Sequence, residues 1–89
     1  MFATLPGKTN PDEHIIYTAH WDHVGTRPAH FGNDSIFNGA IDNASGTAAL
    51  IEIGRNMAVS KASPGRSIVL VAFDGEESGL IGSTWFVEN

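Results

Sequence analysis

Residues 67–73 read Ser67-Ile68-Val69-Leu70-Val71-Ala72-Phe73, an almost unbroken apolar run. A strand with one wet face alternates polar and apolar side chains. This run has no polar face to turn to water, so it is expected to be a strand buried on both sides, of the kind found in parallel sheets covered by helices. His14-Ile15-Ile16-Tyr17-Thr18-Ala19 is a short β-branched run that follows the turn signal Asn10-Pro11-Asp12, and it predicts a second strand. Leu50, Ile53, Gly54, Met57 and Ala58 fall at i, i+3, i+4, i+7 and i+8, while Glu52, Arg55 and Asn56 take the opposite face. That spacing predicts an amphipathic helix over 46–60, with Asn43 or Ser45 as its N-cap and Pro64-Gly65 beyond its end. Residues 78–86 read as a shorter helix weakened by its glycines. Residues 2–5 are a candidate third strand, and residues 25–39 a long loop of the kind that in compact domains is often functional. The order strand, loop, helix, strand, helix is βαβα. Its helical crossover makes the two strands parallel with a right-handed connection, so the fold class is α/β.

At 89 residues the chain is one domain at most. Folding at this size buries roughly 63% of the surface, enough for a modest core. With 42% hydrophobic and 17% charged residues it has the composition of a globular protein rather than a disordered one. Five Lys and Arg against ten Asp and Glu give a formal net charge of −5, which argues against nucleic acid as a partner, because that affinity comes largely from cationic contacts to phosphates. No apolar run approaches the ~20 residues of a membrane span. Residues 1–7 lack the basic and then apolar pattern of a secretory leader. Cysteine is absent, so any metal must be held by oxygen and imidazole.

In open α/β sheets ligands gather beyond the carboxyl ends of the strands. There, and at the start of the long helix, the sequence places His20-Trp21-Asp22, Asp42-Asn43 and Asp74-Gly75-Glu76-Glu77. In extended chain His20 and Asp22 point the same way and Trp21 the other, so the carboxylate can orient the imidazole as partners of metal-bound histidines do. Asp42, in the first turn of the helix, is held ionised by the positive end of the helix dipole, or is simply an N-cap. Glu76 and Glu77 cannot share one buried place as two anions unless a proton or a cation arrives. A metal resolves the conflict, with one carboxylate coordinating and the other serving as general base. His14, His23 and His30 are expected to face solvent or support loops, His23 being the first candidate for an exception. Asp74 is expected to bind turn amides, and Trp85-Phe86 to pack.

Three stretches together carry a resemblance. They are Thr18-Ala19-His20-Trp21-Asp22-His23-Val24-Gly25, then Phe37-Asn38-Gly39-Ala40-Ile41-Asp42-Asn43-Ala44-Ser45-Gly46, then Phe73-Asp74-Gly75-Glu76-Glu77-Ser78-Gly79-Leu80-Ile81-Gly82-Ser83. In this order and spacing they resemble the M28 family of zinc exopeptidases, in its aminopeptidase branch. The resemblance implies a three-layer α/β/α sandwich with parallel central strands, and a pair of zinc ions as cofactor. His20 would serve one ion, Glu77 the other, and Asp42 would bridge both. Glu76 matches the family's general acid/base, acting on a water between the ions, and Asp22 the carboxylate behind the metal-binding histidine. It also implies a cis peptide bond between Asp42 and Asn43, a peptide substrate, and a periplasmic or secreted setting.

The family supplies two more ligands after its Glu-Glu pair, an acidic residue and then a histidine, and neither follows Glu77 here. Residues 1–89 are therefore expected to be a truncated, central part of the catalytic domain, inactive by itself. Such a piece is expected to leave residues 68–73 partly exposed and to form a homo-oligomer through that sheet surface. Two alternatives stand beside the peptidase: a binding relative of the same fold without metal, and a relative performing acyl transfer such as glutaminyl cyclisation. The intact set His20, Asp42, Glu76 and Glu77 counts against the binding relative.

Overall fold

The computed structural model describes residues 1–28 and 33–89. Among these residues the strands are β1 (Phe2–Leu5), β2 (Asn10–His20) and β3 (Arg66–Phe73), and the α-helices are α1 (Ser45–Val59) and α2 (Ile81–Glu88). A π-type turn at Ala40–Ala44 leads into α1. The strands form one sheet in the order β1-β3-β2. β2 and β3 run parallel, with Ile15 opposite Ile68 and His20 opposite Phe73, as the helical crossover requires. β1 joins the other side of β3 antiparallel, with Phe2 opposite Val71, so the sheet is mixed rather than parallel throughout. The chain simply reverses between β1 and β2. The Lys8 and Thr9 amides donate to the carbonyls of Pro64 and Gly65 just ahead of β3, and no crossover helix is needed.

Ile68, Val69 and Val71 are buried, and because consecutive side chains project to opposite faces, β3 is covered on both. Gly54 lets α1 come close: a Cβ there would stand 2.9 Å from Leu70 Cδ1. On α2, Phe86 meets Phe73 edge to face at 5.5 Å between ring centroids. Leu70 and Phe73 point to opposite sides of β3, so the two helices flank it. Only Phe86 of the Trp85-Phe86 pair packs; Trp85 is exposed. Within residues 68–73 the partial exposure falls on Leu70, Ala72 and Phe73, which are half-buried, while more exposed apolar side chains lie on the edge strands, at Phe2, Ile15, Ile16 and Tyr17, and on the helices, at Ile51, Trp85 and Val87.

β2 starts at Asn10 rather than His14, with a register shift between those two residues. The buried Ser67 hydroxyl donates to the Pro11 carbonyl at 2.7 Å and accepts the Gly7 N–H at 3.0 Å. The Glu13–Arg66 ion pair closes the same end. Pro11 is tolerated because the segment is irregular and on a sheet edge. α1 lies one residue earlier than its periodicity predicts. Its N-cap is Ala44, and Asn43 assists from one position further out by accepting the Gly46 N–H at 3.1 Å. α2 begins only at Ile81, because Gly79 and Leu80 take left-handed φ values of 102° and 60°, which a right-handed helix cannot continue. Within residues 25–39 a Thr26–Ile36 bridge pinches the loop. His30 lies outside the described residues.

Candidate active site

β2 and β3 end side by side at His20 and Phe73. From the first turn of α1, Thr47 donates its hydroxyl proton to the His20 carbonyl at 2.9 Å, which ties the helix start to the same rim. His20 is the centre of the resulting group. Its Nε2 stands 3.1 Å from Asp42 Oδ1 and 3.9 Å from Glu76 Oε2. Its Nδ1 lies 3.2 Å from the Asp22 carbonyl and 3.7 Å from the Asp22 carboxylate. The main-chain carbonyl of Asp22, rather than its side chain, therefore receives the Nδ1 proton. Nε2 is then the ring nitrogen nearest the carboxylates of Asp42 and Glu76, which favour a second proton there unless a cation takes its place.

The Asp22 carboxylate has another task. It accepts the backbone N–H groups of Glu76 and Glu77, each at 3.2 Å, and so fastens the turn after β3 to the residues after β2. Burial acts to raise the Asp22 pKa, but these two amides, its own amide and the nearby His20 outweigh burial and hold it below the ordinary 3.8. For His20 burial acts to lower the pKa. The Asp22 carbonyl and the carboxylates of Glu76, Asp42 and Asp22 prevail, and raise it above 6.5. Asp22→Ala strips two amides of a charged acceptor and should destabilise the protein by about 2–3 kcal/mol in urea unfolding at neutral pH. Because the folded pKa is depressed, this contribution is complete above 3.8 and is lost as pH falls through the folded value. The gap between parent and variant should close in acid; a gap independent of pH would assign the loss to packing instead.

Asp42 sits in the π-type turn, one step before α1 rather than in its first turn, and with non-helical φ and ψ. Its peptide bond to Asn43 is cis. Glu77 does not join His20 and Asp42. Its Oε1 is 2.7 Å from His23 Nδ1, so of the three residues read as ligands, two meet and the third faces a different imidazole. Of His14 and His23, the two of these histidines among the described residues, His23 is the exception, and His14 is exposed on β2. Alternation could not foresee the His23 contact, because the strand has ended by then. The usable signal was the count: two adjacent glutamates stand opposite two histidines three residues apart. Asp74 accepts the neighbouring Gly75 N–H at 3.0 Å, as a turn carboxylate should.

Imidazole and carboxylate are donors that zinc takes, and two such ligands on one tetrahedral ion stand about 3.3 Å apart, close to the separation of His20 and Asp42. Among the described residues no three of these groups stand together as a ready metal cage. The residues fit zinc in donor chemistry, and they are arranged as a pair, His20 with Asp42, plus Glu77 held apart on His23.

The group lies at the carboxyl ends of two parallel strands, the place where ligands of open α/β sheets gather. The sequence profile of Peptidase family M28 matches residues 1–89, and the chain belongs to that family. It is 38% identical over 92 residues to a probable glutamate carboxypeptidase VP8 of Zea mays, which covers 100% of this chain and 11% of the relative. It is 40% identical over 81 residues to a probable zinc metalloprotease of Pyrenophora tritici-repentis, covering 91% of this chain and 18% of that protein. It is 39% identical over 92 residues to the aminopeptidase NAALADL1 of Rattus norvegicus, covering 99% and 11%. The chain thus spans less than a fifth of the length of these relatives.

Proposed function

We propose that the protein to which this chain belongs is a zinc-dependent peptidase that hydrolyses N-terminal peptide bonds, working from a three-layer α/β/α catalytic domain. The observation that carries this reading is the meeting of His20 Nε2 with Asp42 at 3.1 Å and Glu76 at 3.9 Å on the rim where β2 and β3 end. In it His20, Asp42 and Glu77 are the residues that would hold two zinc ions, Asp42 serving both. When bound, zinc supplies Lewis acidity and an acidified water. The Asp22 carbonyl keeps the Nδ1 proton of His20, so that Nε2 stays a donor of electrons. Asp22 also holds the amides of Glu76 and Glu77, and so fixes where both side chains start. Glu76 is the general base. It takes the proton of the attacking water as the water oxygen bonds to the scissile carbonyl carbon, and returns it to the amine as the C–N bond breaks.

The test uses the whole protein, a panel of aminoacyl anilides and a zinc chelator. Turnover is expected with a free α-amino group, to vanish with chelation and to return with added zinc. Cleavage of N-acetylated peptides from the carboxyl end would make it a carboxypeptidase. Cyclised glutaminyl product would make it an acyl transferase, and peptide binding without turnover a binding relative.

A further inference from the structure

Glu77 is gripped twice from the residues that follow β2. Asp22 takes its backbone N–H at 3.2 Å, and His23 Nδ1 meets its Oε1 at 2.7 Å. An ionised carboxylate only accepts, so Nδ1 must carry the proton, and Glu77 Oε2 is left without a described protein partner. The His23 ring is itself confined. Phe37 packs edge-on against it at 6.4 Å between centroids. A Cβ on Gly39 would stand 2.9 Å from its Cγ and Cδ2, so the ring occupies the space that a side chain there would fill. Gly39 has a φ of 62°, immediately precedes the turn that carries Asp42, and accepts the Ala44 N–H at 2.9 Å through its carbonyl.

One imidazole therefore touches Glu77 on one side and the root of the Asp42 turn on the other. We propose that His23 is a positioning residue that holds one oxygen of Glu77 and, through its contact with Gly39, sets the spacing between Glu77 and Asp42. The proposal rests on the reading of these two carboxylates as zinc ligands, and His23 acts through them without touching metal or substrate. Partners of this kind beside a metal ligand are worth roughly 10–100-fold in metal affinity.

Two variants of the whole protein test it, with zinc affinity read by competition against a chromophoric chelator. His23→Phe keeps a ring between Phe37 and Gly39 but removes the donor, and should weaken zinc binding roughly 10–100-fold. His23→Asn places an amide N–H close to where Nδ1 stands and should recover most of that loss. The metal-free melting temperature of His23→Asn should match the parent, and that of His23→Phe should fall by no more than the loss of one hydrogen bond. Imidazole nitrogen NMR of the metal-free parent should show His23 with its proton on Nδ1, and its signals should move on Glu77→Ala; this reading needs no His23 variant to fold. Unchanged zinc affinity in His23→Phe, an Asn variant as weak as the Phe variant, or the proton on Nε2 would each overturn the proposal. A parent protein that binds no zinc would overturn the peptidase reading and this proposal together, which tells the two failures apart.

Discussion

Glu76→Gln is expected to leave the zinc content of the protein unchanged while lowering kcat by roughly 10²–10⁴-fold. The amide has the shape of the carboxylate but cannot take a proton from water and hand it on. The substitution leaves the main chain as it was, and the Glu76 N–H donates to Asp22 from the backbone, so the turn after β3 should keep its place. Metal analysis and steady-state turnover on an aminoacyl anilide check both halves. Full turnover would place the base elsewhere. Loss of zinc with loss of activity would instead make Glu76 a ligand, a role its 3.9 Å distance from His20 Nε2 leaves open to test.

Asp42→Ala should have the other large effect, and on binding rather than on chemistry alone. In the proposed site Asp42 would serve both ions, so its removal should cost more than the roughly 100-fold upper end for an outer partner, with activity falling alongside. The metal-free protein offers a second reading. Asp42 is one of the carboxylates that, against burial, raise the His20 pKa above 6.5. The stability that His20 contributes by being charged is complete below 6.5 and is lost as pH rises through its folded value. Metal-free Asp42→Ala should therefore be less stable than the parent at mildly acid pH and equal to it at alkaline pH. A gap that widened with rising pH would show that Asp42 supports the turn and not the imidazole.

The run at 67–73 and the spacing of Leu50, Ile53 and Met57 disclosed β3 and α1 because burial writes directly into hydrophobic pattern. The start of β2 was hidden. Pro11 reads as a turn, and what extends the strand through it is a tertiary contact, the Ser67 hydroxyl on the Pro11 carbonyl. The antiparallel sense of β1 was equally silent, since four residues carry no direction. At the site, strand alternation led to His20 and Asp22, and the end of the strand concealed which atom of Asp22 faces the ring. His23 and Glu77 are 54 residues apart, and only the pairing of β2 with β3 brings them together.

β3 lies between β1 and β2, yet the chain reaches it after both. During synthesis Phe2 must wait for Val71, and Ile15 for Ile68, before either strand can make its pairing with β3. At about 5–20 residues per second that wait lasts several seconds. For that interval Ile15, Ile16 and Tyr17 stand on a strand whose β3 partner has yet to be made, a segment suited to wrong pairing or to capture by a chaperone. β3, the third of these strands to be made, then pairs with both of them at once.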